Sequence, residues 1–225
     1  MSFDRDGYVI CRDWFNQEEL AEFAQAAQHV TGTPGERYDT LWLTPQFLRL
    51  ASSKKAQVAA NQLLGRAVDL PLYLYNSRCL IQPPNDDSHC WGWHQEVFHS
   101  IPETRFVQTW APMVRDATVE NGTIEVLPGS HVEGIAKQEW TEEGTGYALV
   151  DRSVVAEYSP LAIPMKLGDL MFFDPRLIHR SGRNTSDHTR MALVGCYTAT
   201  DGLKVPKPVF EWRGKSPRGW LDEQL

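Results

Sequence analysis

The composition of the chain changes near Pro71, where short runs rich in β-branched and aromatic residues begin. Gly, Pro and Asn separate the runs, and several short strands divided in this way favour a sandwich or barrel over a doubly wound sheet. The stretch from Val132 to Tyr147 gives the weakest signal and is expected to form a loop, over a site or on the surface. The expected strands are Leu72 to Ile81, Thr104 to Val114, Thr123 to Leu127, Leu161 to Met165, Leu170 to Asp174 and Arg190 to Thr198.

The first third of the chain is patterned for helices instead, over about residues 14–68. Asn16 followed by Glu19 is typical of a capping box, and Ser52 or Ser53 is a second candidate helix start. Apolar residues recur at helical spacing after each start. A chain of 225 residues fits one large domain, which we expect to span 1–225, with its β-rich core at about 71–200.

The charge balance and the cysteines bear on partners and location. The chain has 22 Lys and Arg against 29 Asp and Glu and a pI near 5.5, whereas a nucleic-acid-binding domain normally shows a basic face. A basic cluster at 204–218 is interpreted as solvated surface. Four cysteines without CxxC spacing, no signal peptide and no long apolar run predict a cytoplasmic protein with reduced thiols and no membrane partner. The oligomeric state stays open.

One segment, WGWHQEVFH at 91–99, carries the candidate chemistry. In a β-strand residues i and i+2 point to the same face, so His94 and Glu96 would project together while Gln95 points away. An imidazole and a carboxylate suit a divalent metal of the iron class, and two His with one carboxylate leave three coordination positions open. The segment therefore predicts a metal site that needs one more ligand.

The third ligand must come from the remaining histidines. His99 falls on the opposite face by alternation, and His131 lies in a turn, where it would support the site or face solvent. His179 follows an apolar strand that would deliver it into the core of a sandwich. Taken singly, each histidine is more often a core or surface residue than a ligand, and an HxE pair alone is a weak signal. The candidates are His29, His89, His99, His131, His179 and His188.

Three motifs in this order resemble those of the phytanoyl-CoA dioxygenase family of iron(II)- and 2-oxoglutarate-dependent oxygenases. They are WHQE at 93–96, NGTIEVLPGSH at 121–131, and the run from GD at 168–169 through HRSGRN at 179–184 to Arg190. With DGYVI at 6–10, the resemblance covers about residues 3–200. It implies a mainly β fold, a double-stranded β-helix (a cupin-like jelly roll) flanked by N-terminal α-helices.

The resemblance also implies a reaction and its ligands. Fe(II), 2-oxoglutarate and O2 are the expected cofactor and cosubstrates, and hydroxylation of an unactivated C–H bond with release of succinate and CO2 is the expected outcome. His94, Glu96 and His179 match the iron ligands, with Glu96 standing where the family usually has Asp. The longer Glu must fold back or its strand must lie further from the metal. Because the carboxylate is retained, no position is vacated for a halide, which argues against a halogenase.

The resemblance extends to the cosubstrate. Arg190, eleven residues after His179, matches the arginine that holds the far carboxylate of 2-oxoglutarate, a task suited to the planar fork of a guanidinium. A surface salt bridge is the alternative interpretation of this arginine. Trp110 matches a tryptophan of the family and has core packing as its alternative. The other expected cosubstrate contacts are Ser181, which matches an assisting hydroxyl, Gln108, which shares a face with Trp110, and Arg78.

The substrate itself is expected to be a small metabolite, because a chain of this length has little sequence for an elaborate lid. Aromatic residues near a buried site are often only packing. Asn76, Arg78 and Gln82 would share one face of a strand with Leu80, and such polar residues either contact substrate or cosubstrate or lie on an exposed edge strand. Two alternatives stay open: a catalytically inactive binding protein of the same fold, and a zinc hydrolase, since two His and one Glu also bind catalytic zinc. Arg190 argues against the hydrolase, which has no use for a dicarboxylate clamp. The candidate substrate contacts are Trp93, Phe98, Arg105 and Asn76.

Overall fold

The computed structural model describes residues 2–28, 45–85, 92–96, 106–140 and 148–199. Within these ranges no helix has the length and apolar character that crossing a membrane requires. The helices are α1 (Phe3–Asp6), α2 (Gln17–Gln28), α3 (Pro45–Ala51), α4 (Lys54–Leu63) and α5 (Arg152–Val155), with a 3-10 helix at Ser130–Glu133. The strands are β1 (Tyr8–Cys11), β2 (Leu72–Gln82), β3 (Phe106–Met113), β4 (Ile124–Val126), β5 (Gln138–Trp140), β6 (Ala148–Val150), β7 (Leu161–Ala162), β8 (Leu170–Phe173), β9 (His179–Ser181) and β10 (Arg190–Ala199).

The described strands form three antiparallel sheets. The larger sheet has five strands in the order β1-β8-β3-β10-β2, and the smaller sheet has three strands in the order β7-β4-β9. The strands β5 and β6 form a separate two-stranded sheet. Strands that are distant in sequence alternate in the larger sheet, as β8 lies between β1 and β3 and β10 between β3 and β2. Such interleaving of antiparallel strands in two sheets is typical of a jelly roll. The mainly β architecture expected from the sequence is confirmed.

The N-terminal helices begin where the sequence predicts. The Asn16 side chain accepts from the Glu19 N–H at 2.9 Å, and the Glu19 carboxylate accepts from the Asn16 N–H at 2.9 Å, which is the reciprocal capping box. Ser53 caps α4, and its hydroxyl accepts from the Ala56 N–H. Both helix starts thus follow from local sequence chemistry alone.

Strand β10 separates two apolar layers, because alternate residues of a strand face opposite sides. Leu193 and Tyr197 pack with Phe23 of α2 in one buried cluster, whereas Val194 packs with Trp110 in another. The helices therefore cover the outer face of the larger sheet, and its inner face turns toward the smaller sheet.

The expected loop at 132–147 is wrong in its described part, residues 132–140. This part contains the end of the 3-10 helix and the strand β5, which pairs with β6. Residues 141–147 lie outside the described ranges. The strand was missed because three residues with two polar members, Gln138 and Glu139, carry too short a pattern to recognise. Strand β1, the sequence YVIC, was missed because four residues are too few to show an alternation.

Val114, directly after β3, lies in the left-handed region at φ 69° although its side chain is β-branched. We expect Val114→Asn to raise the free energy of unfolding by about 1 kcal/mol, because Asn tolerates this conformation and Val does not. Val114 is 39% exposed, so little packing is lost. Urea denaturation measures the change, with Val119→Asn, exposed and without a positive φ, as the control. A lower stability of Val114→Asn than of Val119→Asn would contradict strain at this position.

Candidate metal and cosubstrate site

The three expected metal ligands lie together where the two sheets meet. His94 forms an isolated antiparallel bridge with His179, the first residue of β9, and the two residues exchange backbone hydrogen bonds of 3.0 Å. At Glu96 the chain has already turned into 3-10 conformation, and the Glu96 N–H donates to the Pro175 carbonyl at 2.9 Å. The expectation of a strand through Glu96 is therefore wrong, because only His94 within residues 92–96 is paired as in a sheet. The turn folds the longer Glu side chain back toward the histidines.

The geometry fits one metal ion. One nitrogen from each histidine and one carboxylate oxygen all lie within 4.8 Å of one another. The Glu96 Oε1 atom is 3.7 Å from the Nε2 atoms of both His94 and His179. Atoms that bind a common ion from about 2.1 Å each lie roughly 3 to 4 Å apart. Two imidazoles and one carboxylate form the donor set that suits divalent iron with open positions for other ligands.

Both histidines are oriented by the backbone two residues before them. His94 Nδ1 lies 2.7 Å from the Gly92 carbonyl, and His179 Nδ1 lies 2.8 Å from the Leu177 carbonyl. A carbonyl only accepts, so each Nδ1 carries the proton and each Nε2 presents a lone pair. Burial, reinforced by the neighbouring His94, lowers the pKa of His179 below its usual value and favours this neutral form. Both rings are thus prepared to bind a metal through Nε2.

A cavity of about 360 Å³, its open mouth included, adjoins the cluster. Gln108 and Trp110 of β3 and Ser181 of β9, all three predicted from the sequence as candidate cosubstrate contacts, lie in its wall. The ring of Phe173 is edge-on to His179 with centroids 4.8 Å apart, and sequence reasoning missed it because a buried Phe in an apolar strand looks like ordinary core. The wall consists of Leu80, His94, Glu96, Gln108, Trp110, Ile124, Phe173, His179, Arg180, Ser181 and Val194.

Arg190 begins β10 and is 2% exposed, so the interpretation as a surface salt bridge is wrong. Its guanidinium donates to the Gln82 carbonyl oxygen Oε1, and the Gln82 amide donates to the Gly182 carbonyl at 3.0 Å. The guanidinium carbon lies 5.7 Å from the centre of the Trp110 ring. Arg190 is not in the cavity wall itself but lies next to Trp110, which is. A buried cation beside the cavity is a natural anchor for an anionic ligand.

The other candidates fall in different places. Trp93 is not in the cavity wall. Its ring lies 4.5 Å from the guanidinium of Arg180, a wall residue that is itself bound to Glu125 on the neighbouring strand. Asn76 and Arg78 lie in β2, but their side chains are outside the described part of the chain. Phe98, Arg105, His29, His89 and His99 also lie outside it.

His131 is neither a ligand nor a surface residue. It lies in the 3-10 helix with 5% exposure, and its Nε2 donates to the Asp4 carbonyl at 3.1 Å. The contact spans 127 positions of the chain and ties the N-terminal segment to the core. His188 pairs with Asp187 and is not part of the cluster.

Comparisons with known proteins agree with this architecture. The family model of phytanoyl-CoA dioxygenase (PhyH) matches residues 3–192. Ectoine dioxygenase of Sphingopyxis alaskensis is 26% identical over 96% of this chain and 82% of that protein.

Solved structures share the fold. EvdO2 from Micromonospora carbonacea var. aurantiaca, complexed with 2-oxoglutarate, has a TM-score of 0.69 at 22% identity and covers 92% of each chain. EctD from S. alaskensis, with 2-oxoglutarate and 5-hydroxyectoine, has a TM-score of 0.71 at 23% identity over 96% of this chain and 82% of that one. The same protein with bound Fe gives 0.67 at 23% identity, over 88% of this chain and 74% of that one. The expected double-stranded β-helix is thereby confirmed, and because the family model spans most of its length, the chain belongs to the phytanoyl-CoA dioxygenase family.

Proposed function

We propose that His94, Glu96 and His179 hold Fe(II), and that the chain uses 2-oxoglutarate and O2 to hydroxylate an unactivated C–H bond of a small metabolite. Succinate and CO2 are the expected coproducts. By its family the chain is a 2-oxoglutarate-dependent non-haem iron dioxygenase. The observation that carries the residue assignment is the meeting of two imidazoles and one carboxylate in the wall of a single cavity.

Bound Fe(II) supplies the activation of O2, which amino-acid side chains do not perform. The protein supplies position and exclusion of water. The Nδ1 contacts to Gly92 and Leu177 fix both imidazole planes, and the three ligand side chains are only 6–7% exposed. The role of these residues is thus to hold the metal in one geometry.

The cosubstrate is assigned to the other side of the cavity. Arg190 binds the far carboxylate of 2-oxoglutarate, with Gln82 fixing one edge of its guanidinium. Trp110 and Gln108 border the path to that cation, and Ser181 places a hydroxyl in the wall two residues after His179. Arg78 is a further proposed contact, from β2. The anchoring of one end leaves the keto acid end of 2-oxoglutarate directed toward the metal ligands.

The two other functions considered from the sequence have less support. Zinc would accept the same three ligands. A zinc hydrolase has no use for a buried guanidinium beside the cavity, whereas a dicarboxylate cosubstrate does. An inactive binding protein would not need two imidazoles whose Nε2 lone pairs face one carboxylate.

A turnover screen tests the proposal. The protein is incubated with Fe(II), 2-oxoglutarate, O2 and pools of small metabolites, including ectoine, which the name of one relative suggests. We expect succinate release above the substrate-free rate in one pool and a product that has gained one oxygen atom in the mass spectrum. The inactive binding protein would be favoured if the chain bound 2-oxoglutarate but released no succinate, either with any of the pools or in the slow reaction without substrate.

The Glu at position 96 gives a sharper test of the metal assignment. We expect Glu96→Asp to weaken Fe(II) binding about 10-fold, although Asp is the usual residue of the family. The Glu96 N–H is held by the Pro175 carbonyl, and loss of one methylene withdraws the carboxylate by about 1.5 Å, far beyond the tolerance of a metal bond.

Anaerobic Fe(II) titration measures this change. Glu96→Gln, which keeps the length and loses the charge, is the control and should bind more weakly still. Equal affinity of wild type and Glu96→Asp would show that the backbone at this position adapts, and the proposed restraint by Pro175 would then be wrong.

Further assignments go with the proposed function. The substrate is proposed to be a small molecule, with Trp93, Phe98, Arg105 and Asn76 as candidate contacts, although Trp93 would have to act from outside the present cavity wall. We propose one oxygenase domain over 1–225, no nucleic-acid partner, and a cytoplasmic location. The free thiols of Cys11, Cys79 and Cys196 are consistent with a reducing compartment.

A further inference from the structure

Gln95 lies between two of the candidate metal ligands in the chain, yet its side chain is bound elsewhere. It is 0% exposed. Its amide nitrogen donates to the Arg176 carbonyl at 2.6 Å and to the Gly134 carbonyl at 2.9 Å, and its amide oxygen accepts from the Ala136 N–H at 2.9 Å. Both donor hydrogens and one acceptor position are therefore used, all on backbone groups of other segments.

One of these hydrogen bonds joins the two segments that carry the metal ligands, and the other two join residue 95 to a third segment. Arg176 precedes His179 by three residues, and Gly134 and Ala136 belong to the segment that follows the 3-10 helix. The bond to Arg176 spans 81 positions of the chain, and those to Gly134 and Ala136 span 39 and 41. One side chain thus fixes residue 95 to two separate parts of the fold.

Such a restraint is needed because the ligand segment is weakly paired. Within residues 92–96 the only sheet-like pairing is the bridge between His94 and His179. On either side of it the Trp93 carbonyl accepts from the Val150 N–H at 2.8 Å, and the Glu96 N–H donates to the Pro175 carbonyl. A regular strand would set the direction of its side chains by a continuous ladder of backbone hydrogen bonds. The bridge and the two single hydrogen bonds restrain the segment less than such a ladder would, and the three hydrogen bonds of the Gln95 amide add to that restraint.

We propose that Gln95 is a positioning residue for the metal site, which sets the orientation of His94 and Glu96 relative to His179. The inference rests on the proposed function of those three residues as metal ligands. An amide is required at this position because two carbonyls need donors and one N–H needs an acceptor. Neither a carboxylate nor an apolar side chain of the same length meets all three needs.

Gln95→Met tests the proposal, since Met keeps the length and shape but makes none of the three hydrogen bonds. The matched control is Asn61→Leu in α4. Asn61 is also 0% exposed and also donates twice to carbonyls, of Val68 and Leu70, and accepts once, from Arg66, but it lies outside the site. Each variant removes the three hydrogen bonds of a fully buried amide, so both should lower the thermal midpoint.

Anaerobic titration of the metal-free variants with Fe(II) alone separates the two roles. We expect Gln95→Met to raise the Kd of Fe(II) at least about 10-fold, which is the size of effect found for residues that orient metal ligands. Asn61→Leu should leave the Kd within about twofold of the wild-type value. The visible band of the anaerobic complex with 2-oxoglutarate should also shift in Gln95→Met only. Equal Fe(II) affinity and an unchanged band in Gln95→Met and wild type would overturn the proposal, as would an equal loss in Asn61→Leu.

If Gln95→Met does not fold, it is replaced by Gln95→Glu, which keeps the acceptor for the Ala136 N–H, and the same outcomes are expected. If wild type itself binds no Fe(II), the proposed function fails, whereas normal binding by wild type and by Gln95→Met overturns only the role of Gln95.

Discussion

Replacement of His179 by alanine is expected to lower the rate of succinate release from 2-oxoglutarate at least about 100-fold. Loss of a residue that only orients a metal ligand costs up to about 100-fold, and loss of the ligand itself should cost no less. His179 supplies one of the two Nε2 atoms that face Glu96. The two ligands that remain after its loss would bind the metal weakly and would not fix its position. The Fe(II) titration should show the same loss. Succinate release is measured by chromatography at saturating Fe(II) and 2-oxoglutarate.

The control for His179→Ala is His131→Ala. Both histidines are 5% exposed, so each substitution removes a buried imidazole of the same size. His131 holds the N-terminal segment through the Asp4 carbonyl, and its loss should lower stability while Fe(II) affinity stays unchanged below the thermal midpoint. Succinate release by His179→Ala at more than about a tenth of the wild-type rate would mean that His179 is not a metal ligand.

Replacement of Arg190 by methionine is expected to raise the KM for 2-oxoglutarate about 30-fold or more, because removal of one partner of a buried charge pair costs roughly 2 kcal/mol or more. The affinity for Fe(II) alone should stay the same, since Arg190 is not part of the metal cluster. Arg190→Lys keeps the charge but lacks the planar fork, so its KM should lie between those of wild type and Arg190→Met.

The control for Arg190 is Arg49→Met in α3. The Arg49 guanidinium also pairs with a side chain, that of Glu22, but its side chain is 62% exposed and does not line the cavity. Its KM for 2-oxoglutarate should remain at the wild-type value. An unchanged KM in Arg190→Met would remove the proposed anchor and require another cation for the cosubstrate.

Local sequence chemistry predicted what local interactions determine. The capping box at Asn16 and Glu19 depends only on residues three positions apart, and both of its hydrogen bonds are present. The role expected of Arg190 came from the resemblance; in the structure Arg190 is buried, four residues before Val194 on the same strand. The identity of the third metal ligand came from the resemblance, because no local pattern distinguishes His179 from another buried histidine.

Long-range contacts determined what the sequence left open. Alternation predicted that His94 and Glu96 share a face, and they do meet, but through a turn at Glu96 rather than through a strand. That turn depends on Pro175, 79 positions later, and the orientation of Gln95 depends on Arg176. Contacts of this separation leave no period in the sequence, so propensity and spacing cannot reveal them.

The burial of His131 illustrates the same limit. Its sequence context, a turn after Leu127-Pro128-Gly129, is compatible with a surface position. Its burial follows from the docking of α1, whose Asp4 carbonyl accepts from the imidazole. The close approach at Gly7, where a Cβ would lie 2.7 Å from the imidazole Nδ1, requires glycine at that position.

Binding of Fe(II) by His94, Glu96 and His179, with 2-oxoglutarate beside it in the same cavity, is the assignment on which the proposed function depends. It is tested by anaerobic titration of the metal-free protein with Fe(II) at saturating 2-oxoglutarate, followed by visible absorption. We expect a weak charge-transfer band that grows to one Fe(II) per chain and is absent from His179→Ala. No band in the wild-type protein at saturating Fe(II) and 2-oxoglutarate, or an equal band in His179→Ala, would refute the assignment.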